Sequence, residues 1–168
     1  REVLDEMLPF FHDRYGNPSS MHSFGGRVAR ELSDARHKVA SLLGADPEEI
    51  IFTSCGTESD NTAIMSSLLV KPGKTHIVTS RVEHPAIKVL CEHLAQKGYR
   101  VTMVGVDSDG RLDMDEYEAS LTPDTAIASI MWANNETGVI FPVEEAARLA
   151  RDRGIVFHTD AVQIVGKI

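Results

Sequence analysis

A carboxylate and a side-chain amide stand close together near the end of the sequence, directly after a short apolar stretch. Asp160 follows the segment GIVFH, which is typical of a buried strand, and Gln163 comes three residues later. Burying a carboxylate is unfavourable unless a cation pairs with it, and the surrounding HTDAVQ contains no Lys or Arg. Asp160 could cap a following helix, with Gln163 completing a capping box. The chemical alternative is that Asp160 receives a cationic atom of a ligand.

A second polar cluster, TSCGTESDN, follows the apolar segment IIFT. Its small residues let the backbone turn tightly, and a helix that begins near Gly56 and Thr57 would present free backbone N–H groups to an anion such as phosphate. The alternative is an ordinary strand-to-helix turn capped by Ser or Thr. The cluster has neither the GKS/T of a Walker loop nor the GxGxxG pattern of dinucleotide-binding folds.

His84 and Asn135 are two further candidates, and each follows an apolar, strand-like segment. His84 precedes Pro85 at a predicted helix start, where it could be an ordinary surface histidine or could stack its ring on a planar ligand. Asn135 lies in the turn NNETG, where Asn is common because it tolerates a left-handed backbone. Its amide could also donate to a hydroxyl or carboxylate of a ligand.

The elements that would position these residues alternate between helix and strand. The predicted strands are residues 50–53, 76–80, 100–106, 126–133 and 155–158. The predicted helices are residues 3–14, 26–43 (closed by Gly44), 57–70, 85–97, 113–121 and 142–153. Short strands rich in Ile and Val predict an α/β fold with a mostly parallel sheet flanked by helices. Because ligands bind beyond the carboxyl ends of such strands, these polar clusters would meet at one edge of the sheet.

Composition and charge exclude several classes of function. The formal net charge is −8 and the basic residues are scattered, which argues against nucleic-acid partners and anionic membranes. No apolar run is long enough to span a bilayer, and the N-terminal stretch is acidic where a signal peptide is basic, so we expect a cytoplasmic protein. Cys55 and Cys91 lie far apart without Cys/His ligand spacing, so we expect neither a disulfide framework nor a metal site.

The order of five motifs resembles one enzyme family. NPSSMH, TSCGTESDN, EHPA, MWANNETG and HTDAVQ follow one another as in the cysteine desulfurases of the NifS/IscS type, which belong to the class V group of fold-type-I enzymes dependent on pyridoxal 5′-phosphate (PLP). The resemblance covers nearly the whole chain, and the motif MWANNETG is more similar to NifS than to SufS. It implies that the sheet is part of the large PLP-binding domain of that fold.

The resemblance also implies a role for each candidate residue. The phosphate of PLP would bind Gly56 and Thr57, and the pyridine nitrogen would pair with Asp160. His84 would stack on the pyridine ring and help to move protons, so His84 and Asp160 are the expected catalytic residues. Gln163 would contact the ring 3-hydroxyl, and Asn135 would lie between that hydroxyl and the substrate carboxylate.

The same resemblance implies an incomplete chain. The lysine that forms the Schiff base and the cysteine that carries the persulfide both lie downstream of HTDAVQ in this family, and neither Lys167 nor Cys55 takes their place. We expect residues 1–14 to form a helix leading into the core, and residues 15–168 to form a large domain incomplete at both ends.

The implied reaction converts L-cysteine to L-alanine and passes sulfur, as an enzyme persulfide, to an iron–sulfur scaffold protein. A homodimer is expected. The alternatives are another class V enzyme, namely a selenocysteine lyase, a kynureninase-like hydrolase or an aminotransferase, or an inactive fragment of such an enzyme.

Overall fold

The computed structural model describes residues 1–167, which divide into two compact units. The first unit is Arg1–Phe52 and the second begins at Thr53. The predicted division into residues 1–14 and 15–168 stays a prediction.

The first unit is helical. Its helices are α1 (Glu2–Met7), α2 (Pro9–His12), α3 (Ser23–Leu43) and a 3-10 turn, Pro47–Glu49. The predicted helix over residues 3–14 is divided into α1 and α2, and Pro9, which lacks an N–H, opens the second of them. The long predicted helix is confirmed as α3: the His22 ring accepts a hydrogen bond from Gly25 N, and Gly44 ends the helix in the left-handed region at φ 66°.

Residues 50–53, which the apolar pattern predicts as a strand, form no strand. Ile51 is 76% exposed, and no strand of the described residues pairs with this segment. Apolar composition fits an extended backbone, but a strand also needs a neighbour for its N–H and C=O groups. The prediction of a strand here is therefore wrong.

The second unit contains a four-stranded, fully parallel sheet. Its strands are β1 (His76–Ser80), β2 (Arg100–Val104), β3 (Thr125–Ser129) and β4 (Val156–His158), in the order β2-β1-β3-β4. Every residue of the two central strands is buried. The predicted parallel sheet is confirmed, although β2, β3 and β4 are shorter than their apolar runs.

Helices cover both faces of this sheet. They are α4 (Gly56–Val70), α5 (Pro85–Gln96), α6 (Met114–Ser120) and α7 (Val143–Asp152). Successive strand residues point to opposite faces, so Ile77 packs with the core of α4 and α5 while Val78 packs with that of α6 and α7. The buried Cys91 belongs to the first of these cores.

A buried polar network closes the amino end of the sheet. His76 is fully buried, with Nδ1 2.8 Å from Thr125 Oγ1 and Nε2 2.9 Å from Thr102 Oγ1. Burial lowers the pKa of His76 to about 4, and the nearby Arg100 lowers it further while Asp124 opposes the shift. The imidazole is therefore neutral and fully hydrogen-bonded at physiological pH.

No helix within residues 1–167 combines the length and the apolar character that crossing a bilayer requires.

Candidate functional site

A pocket of about 270 Å³ lies beyond the carboxyl ends of the strands. It is lined by Gly56, Thr57, Asp60, His84, Met131, Ala133, Asn135, Asp160, Val162 and Gln163. All six residues selected from the sequence are among them. The structure thus brings together side chains that the sequence separates by more than half the chain.

The N-terminus of α4 forms one end of the pocket. Ser59 N is the first helical N–H to bond a carbonyl, that of Cys55 at 3.2 Å, so the N–H groups of Gly56 and Thr57 have no backbone carbonyl partner. The helix dipole adds positive potential at this end. Free N–H groups, this potential and the Thr57 hydroxyl suit a phosphate.

Asp160 has one carboxylate oxygen bound and one available. Oδ1 accepts a hydrogen bond from Val162 N at 3.0 Å, whereas Oδ2 accepts none from residues 1–167. The residues after Asp160 form turns rather than a helix, and Gln163 Oε1 accepts instead from Lys167 Nζ at 2.9 Å. The capping-box interpretation is therefore wrong: Asp160 caps a turn and keeps one oxygen for the pocket.

His84 presents its ring to the pocket from the start of α5. Its Nδ1 accepts a hydrogen bond from Ala86 N at 3.1 Å, so the neutral ring carries its proton on Nε2. Pro85 occupies the first helical position, where no N–H is needed. The ring orientation is fixed by the backbone, and its exposed position leaves it accessible to a planar ligand.

The two neighbouring asparagines have different tasks. Asn134 is buried: its Nδ2 donates to Val82 O at 3.1 Å, and its Oδ1 accepts from the N–H groups of Glu136 and Thr137 at 3.0 and 2.9 Å. Asn135 is exposed, lines the pocket and makes no side-chain hydrogen bond within the described residues. No residue other than glycine has a positive φ within residues 1–167, so the explanation from a left-handed backbone is wrong for both asparagines. The side chain of Asn134 instead holds the turn together, and the amide of Asn135 is available to contact a ligand.

Asp60 is a pocket residue that the sequence interpretation missed. It lies on the second turn of α4, is 5% exposed and has Oδ1 3.6 Å from His158 Nε2. Burial and, to a smaller extent, the charge of Asp160 raise the pKa of Asp60 to about 6, although His84 opposes part of the shift. Asp60 comes three residues after Thr57, so helical periodicity puts the two residues on one face and could have identified it.

Glu83 is a second missed carboxyl group, next to the pocket and 5% exposed. Its Oε1 accepts from Ser80 Oγ at 2.7 Å and from Met131 N at 2.9 Å, which ties the end of β1 to the segment after β3. Its Oε2 is buried without a partner among residues 1–167. Burial raises the pKa of Glu83 to about 7, and the two hydrogen bonds counteract part of that shift.

The chemistry of these groups fits a phosphorylated, cationic aromatic ring. The α4 N-terminus suits the phosphate, Asp160 Oδ2 suits a protonated ring nitrogen, and the His84 ring suits the aromatic face. Within the described range, no group of three or more His, Cys, Asp or Glu side chains could hold a metal ion.

The chain is similar to known proteins over its whole length. The sequence model of the aminotransferase class-V family matches residues 1–168. The cysteine desulfurase NifS of Azotobacter vinelandii is 56% identical over 168 residues, which is 99% of this chain and 42% of that protein. The chain therefore spans about two fifths of the length of such curated relatives.

Two solved structures share the fold. A NifS-like protein superposes with a TM-score of 0.94 at 41% identity, over 99% of this chain and 47% of its own. A structure described as SspA in complex with cysteine superposes with a TM-score of 0.93 at 33% identity, over 98% of this chain and 48% of its own.

Proposed function

Because the chain belongs to the aminotransferase class-V family, we propose that the whole protein is a PLP-dependent cysteine desulfurase that converts L-cysteine to L-alanine and retains the sulfur as an enzyme persulfide. The observation that carries the proposal is the meeting of all six selected residues around one pocket. The names of the relatives support the reaction, and the cysteine complex of one structural neighbour supports the substrate.

The residues of this chain would bind and orient the cofactor. The N–H groups of Gly56 and Thr57 would bind the phosphate, and Asp160 Oδ2 would accept a hydrogen bond from the protonated ring nitrogen. His84 would cover one face of the ring. Bound PLP supplies an electron sink for the carbanion formed at the α-carbon of the amino acid, and a protonated ring nitrogen makes that sink effective.

Asn135 and Gln163 would complete the polar contacts. Gln163 Oε1 is engaged by Lys167, so its Nε2 would be the donor to the ring hydroxyl oxygen. Asn135, whose amide is free of partners within residues 1–167, would reach that hydroxyl and the substrate carboxylate. Lys167 therefore contributes by orienting Gln163, and the proposal gives it no covalent step.

Replacing Asp160 by Ala in the whole protein tests the proposal. We expect kcat/KM for L-cysteine to fall at least about a hundredfold, because the charge that keeps the ring protonated is removed. Alanine and sulfide are measured together, and the exposed Asp109→Asn serves as a matched control for loss of one carboxylate. Near-normal desulfurase activity of Asp160→Ala would contradict the proposal, and keto-acid formation from amino acids in place of sulfide would favour an aminotransferase.

The resemblance to NifS-type enzymes further supports a cytoplasmic homodimer that passes its sulfur to an iron–sulfur scaffold protein. Transfer of radiolabelled sulfur from L-cysteine to a scaffold protein, followed by cluster formation, would test this part. Light scattering of the whole protein would give its oligomeric state.

A further inference from the structure

We propose that Asp60 is a proton-storing residue of the pocket: its carboxyl group holds a proton until a cationic ring binds at Asp160, and then releases that proton to solvent. This inference rests on the proposed function, because the cationic ring is taken to be that of PLP. Asp60 would act on the ring through its charge, without contacting it, and so differs from the residues proposed to bind the cofactor directly.

The first argument is the lack of partners around a buried carboxyl group. Asp60 is 5% exposed and lines the pocket, yet it accepts no hydrogen bond from residues 1–167. Its Oδ1 lies 3.6 Å from His158 Nε2, which is too long for a hydrogen bond. A buried carboxylate without donors is unfavourable, so the group is more stable with its proton.

His158 does not supply the missing positive charge. It lies at the end of β4, and its Nδ1 is 2.9 Å from Ser129 Oγ. Burial lowers the pKa of His158, and Asp160 only partly opposes that shift. The ring is therefore neutral near pH 7, and the contact with Asp60 is not an ion pair.

The second argument is the charge of the groups that face Asp60. Asp160, which follows β4, and Glu83, which follows β1, are carboxyl groups, and His84 at the start of α5 is a further titratable neighbour beside His158. No Lys or Arg of residues 1–167 forms an ion pair with Asp60. Burial and the charge of Asp160 raise the pKa of Asp60 to about 6, because neighbouring carboxylates do not ionise together without a large penalty.

A cationic ring at Asp160 reverses this balance. Its positive charge offsets the repulsion between the two aspartates, so the pKa of Asp60 falls and the proton leaves. The coupling is reciprocal: an ionised Asp60 strengthens binding of the cationic ring. The pocket then carries a second negative charge, which helps to keep the ring nitrogen protonated.

The test uses pyridoxamine 5′-phosphate and the whole protein freed of cofactor. This probe carries the ring nitrogen and phosphate but no aldehyde, so its binding needs no lysine. Calorimetric titrations in two buffers of different ionisation enthalpy give the number of protons released on binding. Wild type is compared with Asp60→Asn, which mimics the protonated side chain, and with the exposed Asp109→Asn as a matched control.

At about pH 5.5 we expect wild type to release about half a proton more than Asp60→Asn, and at about pH 8 we expect the difference to vanish. The affinities change with pH in the same sense: wild type binds the probe about threefold more tightly than Asp60→Asn at about pH 5.5 and about tenfold more tightly at about pH 8. The probe's phosphate also titrates in this range, but equally in all variants. A purely structural role for Asp60 would weaken binding by the same factor at both pH values.

The possible outcomes separate the two proposals. Binding by wild type without an Asp60-dependent proton would overturn this inference and leave the proposed function intact. Absence of binding at every pH would overturn both. If Asp60→Asn fails to fold, infrared difference spectra of wild type decide: loss of a protonated carboxyl band on binding supports the inference, and an unchanged band contradicts it.

Discussion

The two ends of the parallel sheet treat buried polar groups in opposite ways. At the amino end, His76 is fully buried and both of its ring nitrogens contact threonine hydroxyls. At the carboxyl end, four buried side-chain atoms of the described residues lack any partner. They are Asn61 Oδ1, Thr79 Oγ1, Glu83 Oε2 and Thr159 Oγ1. Both ends belong to the same sheet and both contain buried polar atoms, so they differ in whether those atoms have hydrogen-bond partners.

This difference separates a satisfied polar network from buried polar atoms that lack a partner within residues 1–167, and none of the four residues lines the pocket. A satisfied buried network adds to stability, whereas each orphaned polar group costs about 1–3 kcal/mol of it. The amino end should therefore respond to mutation in stability alone. The carboxyl end should respond in stability at its hydrogen-bonded groups and in binding at the residues that line the pocket.

The largest expected effect concerns stability at the amino end. We expect His76→Leu to lower the free energy of unfolding by about 3 kcal/mol, because the buried Thr125 and the half-buried Thr102 both lose their hydrogen bond to the imidazole. Affinity of the folded protein for PLP should not change. Chemical denaturation measures the free energy of unfolding, and a titration with PLP measures the affinity. Weaker PLP binding by the folded variant would contradict the prediction that His76 affects stability alone.

The next effect contrasts neighbouring asparagines at the carboxyl end. Asn134→Ala should lower the free energy of unfolding by about 2 kcal/mol, since the turn loses its side-chain hydrogen bonds. Asn135→Ala should leave stability unchanged and lower kcat/KM for L-cysteine about tenfold, by loss of one hydrogen bond to the substrate. Each variant is the control for the other, and equal effects of both on stability would refute the assignment.

A third test uses pH, because the two ends titrate in opposite directions. The pKa of His76 is depressed to about 4, so its contribution to stability is lost as pH falls from 6.5 towards 4. The pKa of Glu83 is raised to about 7, so its contribution is lost as pH rises from 4.5 towards 7. Between these limits the free energy of unfolding rises with pH because of His76 and falls with pH because of Glu83, so the two contributions partly cancel.

Glu83→Gln removes one of the two slopes. Between about pH 5 and pH 7, we expect the free energy of unfolding of this variant to rise by about 1 kcal/mol per pH unit relative to wild type. Urea denaturation at several pH values measures it, with the exposed Glu144→Gln as control. Parallel curves for wild type and Glu83→Gln would mean that Glu83 is ionised throughout this range.

The smallest effect is expected at Lys167. Its ammonium group is exposed and, within residues 1–167, donates to Gln163 alone. Lys167→Ala should therefore change stability by less than about 0.5 kcal/mol and affinity for PLP by less than about threefold. Absorbance titration with PLP measures the affinity. Loss of all PLP binding in this variant would show that Lys167 has a role at the carboxyl end that its contacts do not indicate.

The sequence was most informative where local signals agreed. Apolar periodicity and Gly44 predicted the long helix α3, and runs of Ile and Val predicted the parallel sheet. Attention to strand ends then selected six residues that line one pocket. Their functional roles rest on the resemblance, because position alone does not tell which ligand atom each one meets.

The incorrect or missing predictions concern properties that depend on tertiary contacts and not on the local sequence. Residues 50–53 have strand composition but lack a strand neighbour in the described part of the chain, and pairing is a tertiary property. Asp60 was missed because the polar residues at strand ends were considered only as far as the first helical turn, and Asp60 lies in the second turn of α4. Glu83 stands in the motif EHPA but received no role, because its importance depends on Met131 N, which only the folded sheet brings within 2.9 Å.

The wide spread of the pocket residues along the chain has a consequence for biosynthesis. Gly56 lies early and Gln163 late in the second unit, and Gln163 follows β4, the last of the four strands that the structure describes. A nascent chain in which β4 is still inside the ribosome has the N-terminus of α4 but not yet the carboxylate of Asp160. Under the proposed function, the cofactor would therefore bind only after β4 has been synthesised and has paired with β3.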